Sequence, residues 1–471
     1  MAVSAVYVAL ALARAFADRP MVDEAWLASP ALNLAFHGFM GTSILEGQGT
    51  YWQGIDRYTY WVMPVYPVVL AGWFKIVGFG LVSMRGISIL SGLVLIVSVY
   101  VFVGRLADCK ATGMLAACLL AIDFVTVRGG AMGRPDALCA ALGYSAYAAY
   151  FLLRRQSVMR AFVTAQTLVA LSIFTHPNGA LYFLGLAMLA AIWDWRRLSF
   201  WRLAVGTVPY AVLAAGWALY IAHDPRMFAR QFAGNASGRM NGMRAPLDAL
   251  RREVGRYLAG ASSRLRAGLL LPYACGVAGA IGIRELRRQK GVRSLLLLLA
   301  LYFGFDWLFE GVKIYLYLIH LAPLYVALFA VCVRWVWVSH PKFRSATAVA
   351  VGLMAAIQLA GTGYAILRRN MQSEYLPAIG AIHSWSSSRS LVMGSAELAF
   401  GLGFDSNLRD DVKLGYATGR PPDIIVLDRR YKETIAGFKV SEPAAWSYVN
   451  ELLARYSSVW KQADYELLVR R

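Results

Sequence analysis

Charged residues are scarce in this chain: Asp, Glu, Lys and Arg make up 16% of its 471 residues, whereas 58% of the residues are hydrophobic. A soluble domain is on average about a quarter charged and about half apolar, so the composition excludes an ordinary soluble enzyme. Apolar runs close to the roughly 20 residues that a bilayer-spanning helix needs recur throughout. They predict an all-α polytopic membrane bundle of about eleven transmembrane helices. The runs are residues 1–17, 86–103, 111–127, 137–153, 161–174, 180–193, 203–222, 267–283, 294–308, 314–333 and 346–367.

Cysteine is almost absent, with five residues, and none of them lies in a large segment between the apolar runs. The sequence therefore contains neither a disulfide framework nor a CxxC metal signature. The six histidines show no metal-ligand spacing, so we expect no metal cofactor, although the sequence does not exclude a divalent metal ion. The glycine stretches at 38–41 and 401–403 follow no nucleotide-binding template, which argues against a nucleotide ligand.

The charge that is present is asymmetric, with 47 Lys and Arg against 27 Asp and Glu. If the N-terminus is inside, five connections carry sixteen basic and three acidic residues and fall on the cytoplasmic side, as the positive-inside rule requires. This placement explains the basic composition without a nucleic-acid partner. The opposite face then receives a first outer loop at 18–83, a basic outer loop at 223–266 and the C-terminal segment from residue 368. The five inner connections are residues 104–110, 154–160, 194–202, 284–293 and 334–345.

Two apolar segments need separate interpretation. Residues 62–80 contain Lys75 and two prolines, so we expect a short interfacial helix instead of a crossing. The first run contains Arg14 and ends in small residues that resemble a signal-peptide cleavage site, and we expect it to remain as an uncleaved helix.

Polar islands interrupt the apolar sequence at four points, all on the predicted outer face. Asp18, Asp23 and Glu24 follow the first run, and residues 128–136 link the third and fourth runs. Residues 175–179 and 310–313 form the other two islands. Because ionisable groups at a membrane boundary are costly unless they are paired or functional, their convergence on one face predicts a site there.

Motifs in and beside these islands resemble those of polyprenyl-phosphate-sugar-dependent membrane glycosyltransferases with the GT-C fold. The likeness is to the family 39 type, which includes protein O-mannosyltransferases and lipid A aminoarabinose transferases. It covers nearly the whole chain in organisation. The chain departs from many relatives in having Met63-Pro64 where they have a Pro-Pro pair. The matching elements are Asp23-Glu24, Pro64-Val65-Tyr66-Pro67, Arg134-Pro135-Asp136 and residues 313–323.

The resemblance implies a division of roles among these residues. It aligns Asp23 with the catalytic Asp of the family's motif, as the general base, and Glu24 would orient Asp23, bind the acceptor or face away. Arg134 would contact the donor phosphate, because a guanidinium fork suits phosphate oxygens, or lie at the interface as a snorkelling arginine. Asp136 would lie near the sugar or hold Arg134. Further candidates for binding the donor phosphate or sugar are Lys313, Arg57, His176 and Tyr315; for His176, capping a turn is the stronger alternative.

The implied function is sugar transfer from a polyprenyl-phosphate donor to a hydroxyl-bearing acceptor, which can be a glycolipid, glycan or protein. Transfer would be inverting, on the extracytoplasmic side, in a multi-pass protein of the bacterial inner membrane surrounded by membrane lipids. The main alternative is a lipid or oligosaccharide transporter or flippase, and a non-catalytic scaffold is a third. A transporter would carry its charges near the midplane instead of at one surface.

The sequence predicts two domains, a catalytic membrane domain at 1–367 and a soluble extracytoplasmic α/β domain at 368–471. In the α/β domain, residues 390–394, 423–428, 458–460 and 465–469 predict strands, and residues 444–456 predict a helix. The domain either covers the mouth of the site or only packs against the bundle. The loop at 223–266 contains nine arginines, which would gather phosphate headgroups or form a solvated surface beside anionic lipid.

Overall fold

The computed structural model describes residues 2–237, 245–258 and 263–471, with the side chains of 258 and 263–267 excepted. Part of the basic loop at 223–266 therefore lies outside the described residues. The chain is mostly helical. Its helices are α1 Ala2–Ala17, α2 Val22–His37, α3 Val65–Val77, α4 Leu81–Leu106, α5 Lys110–Ile122, α6 Phe124–Gly130, α7 Pro135–Leu153, α8 Val158–Thr175, α9 Gly179–Asp194, α10 Phe200–Ile221, α11 Pro225–Ser237, α12 Pro246–Leu258, α13 Ser263–Gly282, α14 Arg284–Arg288, α15 Lys290–Phe309, α16 Ala322–Ser339, α17 Arg344–Leu367, α18 Leu376–Trp385, α19 Ala399–Leu402, α20 Arg429–Ser441 and α21 Pro443–Leu453.

The predicted membrane bundle is confirmed, but the count of about eleven spans is not. Within the described residues, seven helical segments are long and apolar enough to cross a bilayer, or eight if the bent pair α5 and α6 counts as one span. Three shorter apolar helices lie at Ala2–Ala17, Val65–Val77 and Gly268–Gly282. The largest apolar core is formed chiefly by α4, α7, α8, α9, α15 and α16.

The run predicted at 111–127 is not one straight helix. Its two halves, α5 and α6, meet at an angle of 63°. Asp123 lies at the break and accepts the backbone N–H of Thr126 at 2.8 Å, as an N-cap that begins a new helix. The phenol of Tyr273 also donates to the buried Asp123. The bend leads directly into the polar residues before α7.

The run predicted at 314–333 also differs from a continuous helix. Residues Tyr315–His320 form 3-10 turns, and α16 begins only at Ala322, with Pro323 in its first turn. Proline fits the start of a helix but not its interior, because its ring occupies the place of a backbone N–H donor. The break buries Tyr317 and His320 within the bundle.

The segment at 62–80 forms the short helix that the sequence predicts. Its 13 helical residues follow Pro64 and end before Gly78, which has a φ of 85°. That left-handed backbone favours glycine. The helix packs on α2 through Tyr66, Leu70 and Phe74.

The C-terminal segment contains the predicted α/β arrangement. Its strands are β1 Val392–Met393, β2 Leu408–Arg409, β3 Ile424–Leu427, β4 Tyr456–Gln462 and β5 Tyr465–Arg470. The sheet has the strand order β2-β1-β3-β5-β4, with β1 parallel to β2 and β3 and with β5 antiparallel to β3 and β4. The sequence interpretation missed β2, α18, α19 and α20. A single β-bridge joins Leu45 of the first loop to Asp410 beside β2.

Candidate active site

A cavity of about 590 Å³ opens between α2, the first loop, the start of α7 and the end of α15. Its ionisable lining residues include Asp23, Arg134, His176 and Glu310, which come from the four predicted islands. Residues from all four islands therefore line one cavity. Much of the remaining wall is aromatic and includes Trp26, Tyr51, Trp52, Trp61, Tyr66 and Tyr317.

Arg134 links two carboxylates at the base of this cavity. Its Nε donates to Asp136 Oδ2 at 2.8 Å, and a second guanidinium nitrogen pairs with Asp23. The local sequence explains this geometry: Arg134 is the extended N-cap residue of α7, Pro135 and Asp136 begin that helix, and Asp23 lies in the first turn of α2. The Asp23 side chain is 27% exposed and the Asp136 side chain 3%. Asp23 is therefore the carboxylate that a substrate can reach.

Glu24 does not share the position of its neighbour. Its carboxylate is fully buried and pairs with Arg85 through two contacts of 2.8 Å. It also accepts the backbone N–H groups of Met21 and Gly133, at 2.8 and 2.7 Å. Glu24 is absent from the described lining of the cavity, and its buried pair with Arg85 corresponds to the alternative in which Glu24 faces away from the site. Residues adjacent in a helix point about 100° apart, which explains the separation.

His176 lies beside Asp136, at a distance of 4.0 Å between Nε2 and Oδ1. Its Nδ1 accepts the backbone N–H of Asn178 at 3.2 Å, which is the turn-capping contact considered from the sequence. The ring of Tyr317 lies 5.2 Å from the His176 ring. The ring of His320, which the sequence interpretation did not select, stacks with the His176 ring at a distance of 6.4 Å between the ring centres.

Lys313 is absent from the described lining of the cavity, whereas the sequence analysis expected it at the donor phosphate. Its Nζ lies 3.3 Å from Glu253 of α12 and donates to the carbonyl oxygen of Asp306. Burial lowers the pKa of Lys313, and the Glu253 carboxylate opposes this shift. Arg256 pairs with the same two acidic residues, Glu253 and Asp306. The sequence interpretation missed the pairing of Lys313 with Glu253 because these two residues are far apart in the chain.

Arg57 and Tyr315 are also placed differently from the prediction. Arg57 is exposed on the first loop and is absent from the described lining of the cavity. Tyr315 lies under the guanidinium of Arg128, with its ring centre 5.5 Å away, while Tyr317 lines the cavity instead. Tyrosines two positions apart diverge in helical turns, and the sequence alone does not say which of them faces inward.

Comparisons with known proteins agree with this architecture. Residues 62–222 match the dolichyl-phosphate-mannose-protein mannosyltransferase family. ArnT from Cupriavidus metallidurans, in a crystal structure with undecaprenyl phosphate, is similar over 98% of this chain and 97% of its own, with a TM-score of 0.63 and 17% identity. The oligosaccharyltransferase of Archaeoglobus fulgidus, in complex with Zn and sulfate, has a TM-score of 0.57 and 14% identity over 97% of this chain and 71% of its own. None of the curated proteins matches the chain in sequence.

These similarities establish the GT-C fold for this membrane protein. The family matched over residues 62–222 consists of glycosyltransferases, which is the class that the motifs resemble.

Proposed function

We propose that this chain transfers a sugar from a polyprenyl phosphate to an acceptor hydroxyl on the extracytoplasmic side of a bacterial inner membrane, with inversion and with Asp23 as the general base. The observation that carries the proposal is the cluster of Asp23, Arg134 and Asp136 at the base of a large cavity in a GT-C fold.

The reaction requires a proton acceptor and a cation. Asp23 takes the proton from the acceptor hydroxyl, whose oxygen forms a bond with the anomeric carbon. The bond between that carbon and the phosphate oxygen breaks, and the lipid phosphate leaves with the electron pair. In-line attack opposite the leaving phosphate inverts the configuration at this carbon.

Arg134 connects donor binding to the base. In the structure it pairs with Asp23, and a donor phosphate, which is also a bidentate partner for a guanidinium, would compete with Asp23 for it. When the donor phosphate engages Arg134, Asp23 loses part of its positive neighbour and becomes a stronger base. Asp136 keeps Arg134 in place through its Nε throughout. The base is therefore expected to become fully active only when a donor is bound.

The positions of the ionisable groups favour transfer over transport. Asp23 and Asp136 lie in the first turns of α2 and α7, and His176 and Glu310 directly follow the ends of α8 and α15. Charges at helix ends suit a surface site, whereas a transporter places them near the midplane. The aromatic wall offers flat apolar faces to a sugar ring or a lipid chain.

The test compares Asp23→Asn with wild type, using purified protein, labelled polyprenyl-phosphate sugars and membrane extract as the acceptor source. Asp18→Asn is the matched control, because Asp18 is also paired with one arginine and is 21% exposed. We expect Asp23→Asn to reduce transfer at least about 100-fold, in line with loss of a general base, and Asp18→Asn to retain most of it.

Two outcomes would count against the proposal. Equal transfer by wild type and a folded Asp23→Asn variant would contradict the assignment of the base. A wild-type protein that transfers no sugar from any lipid-linked donor would contradict the function itself.

A further inference from the structure

Three ligand-type side chains meet beneath the cavity, from parts of the chain that are far apart in sequence. Asp136 begins α7, His176 follows α8, and His320 ends the 3-10 turns before α16. One carboxylate oxygen and one nitrogen from each ring all lie within 4.8 Å of one another, and all three residues are buried. The break at Pro323 is what brings His320 into this position.

Two of the three ligand atoms have no hydrogen-bond partner among the described residues. These are Asp136 Oδ1 and His320 Nε2. Leaving a buried polar atom unpaired is costly, and both of these atoms face the same small volume. We infer that Asp136, His176 and His320 form a binding site for a divalent transition-metal ion of the zinc type.

The neighbouring groups allow both unpaired atoms to take the form that binds a metal. The Nδ1 of His320 lies 2.8 Å from the Tyr182 hydroxyl, and the Tyr144 hydroxyl donates to the His320 carbonyl oxygen at 2.8 Å. When Nδ1–H donates to Tyr182, the lone pair of Nε2 is left for a metal, as is usual for metal-binding histidines. Arg134 engages Asp136 only through Oδ2, which leaves Oδ1 available.

His176 is the weakest of the three ligands. Its Nδ1 accepts the Asn178 N–H at 3.2 Å, so the ring carries its proton on Nε2 when it is neutral. Ligation through Nε2 requires that proton to move to Nδ1, at the loss of the contact with Asn178. Metal binding should therefore depend more on Asp136 and His320 than on His176.

The donor set selects the class of ion. Two imidazoles and one carboxylate suit zinc and its neighbours in the first transition series, whereas magnesium and calcium prefer oxygen ligands. Three protein ligands leave a position for an outside ligand, as in catalytic zinc sites. Because His176 also lines the cavity, that position is close to the substrate.

The charges around the cavity indicate that the ion would help to bind the donor phosphate, and this step rests on the proposed function. Among the described lining residues the carboxylates of Asp23 and Glu310 outnumber the guanidinium of Arg134, and Asp136 adds a third carboxylate behind it. Lys313 is engaged with Glu253. An anionic lipid phosphate entering this acidic cavity gains from a divalent cation, which offsets the excess negative charge.

The test measures metal binding directly. Purified protein is stripped with a chelator and titrated with Co²⁺, which reports ligation by its visible absorption, and Zn²⁺ and Mg²⁺ are then added as competitors. We expect one Co²⁺ per chain, displaced by Zn²⁺ and not by Mg²⁺. Asp136→Asn and His320→Ala should abolish the band, and His176→Ala should weaken binding about 10-fold or more. His340→Ala, at the histidine after α16, is the control and should bind normally.

Tyr182→Phe keeps the test decisive if a ligand variant fails to fold. This variant removes only the hydroxyl that orients His320, and we expect Co²⁺ binding to weaken about 10-fold or more. Failure of wild type to bind Co²⁺ or Zn²⁺, or equal binding by wild type and all the folded site variants, would overturn the inference. A protein that binds the ion but transfers no sugar would contradict the proposed function and leave this inference standing. A protein that transfers sugar but binds neither Co²⁺ nor Zn²⁺ would support the proposed function and overturn this inference.

Discussion

Two adjacent carboxylates, Asp23 and Glu24, perform different physical tasks. Asp23 faces the cavity and pairs with Arg134, whereas Glu24 is surrounded by donors from α4 and from the segment before α7. The motif predicted that both residues belong to the site but not that only Asp23 faces the cavity. Glu24 is instead paired with Arg85, which lies 61 residues later in the chain.

Loss of Glu24 should destabilise the protein instead of acting on chemistry alone. Glu24→Ala leaves the fully buried Arg85 without its carboxylate, and breaking a buried ion pair costs about 3–5 kcal/mol. We expect a clearly lower thermal unfolding temperature in detergent. Glu374→Ala is the control, because Glu374 pairs with the half-exposed Arg19 and should change stability little. Similar unfolding temperatures for the two variants would contradict the structural role of Glu24.

At the scale of elements, hydropathy predicts where helices lie but not where they break. The runs at 111–127 and 314–333 are apolar on average, and averaging over such a window conceals the polar break at Asp123 and the late helix start at Pro323. Both breaks have local signals, an N-cap residue and a proline, that sequence reasoning can use. The burial of Arg256 within α12 could not be predicted in this way, because its partner Asp306 lies on α15.

Helix α12 should depend on that buried arginine. Arg256→Gln removes the cation that joins Glu253 to Asp306, and we expect hydrogen exchange in residues 246–258 to accelerate about 10-fold or more. The matched control is Arg252→Gln, on the same helix, where the arginine is 46% exposed and pairs only with Asp248. Equal exchange in the two variants would show that the buried cluster does not hold the helix.

At the scale of the whole molecule, the sequence predicted the convergence of the islands but not the choice of partners within them. The predicted topology places Asp23, Arg134, Asp136 and His176 on one face of the membrane. In the structure these four side chains lie close together. Lys313 shares that region but is engaged by Glu253, an alternative partner 60 residues earlier. Competition between distant charges is decided by packing, which no local motif describes.

The C-terminal sheet domain contacts the wall of the cavity through Asp410. This residue accepts the indole N–H of Trp26 at 3.0 Å and also bonds Arg430 and the Tyr431 hydroxyl. The Arg430 guanidinium lies 5.5 Å from the centre of the Trp26 ring. Trp26 follows Asp23 by three positions on α2 and lines the same cavity, so the domain is positioned to hold the substrate-facing side of that helix.

This coupling predicts a difference between two tryptophans of the same wall. Trp26→Phe removes the donor to Asp410, and a hydrogen bond to a charged group contributes about 1.5–3 kcal/mol. Trp61→Phe makes the same change in size beside it, but the Trp61 indole N–H has no partner among the described residues. We expect kcat/KM for transfer to fall about 10-fold or more in Trp26→Phe and clearly less in Trp61→Phe.

A double variant tests whether Trp26 and Asp410 act through the same contact. When Trp26→Phe is combined with Asp410→Ala, it should add little further loss, because the effects of residues that act through one contact are not additive. Additive losses, or equal effects of the two tryptophan variants, would mean that the C-terminal domain packs beside the site without positioning it.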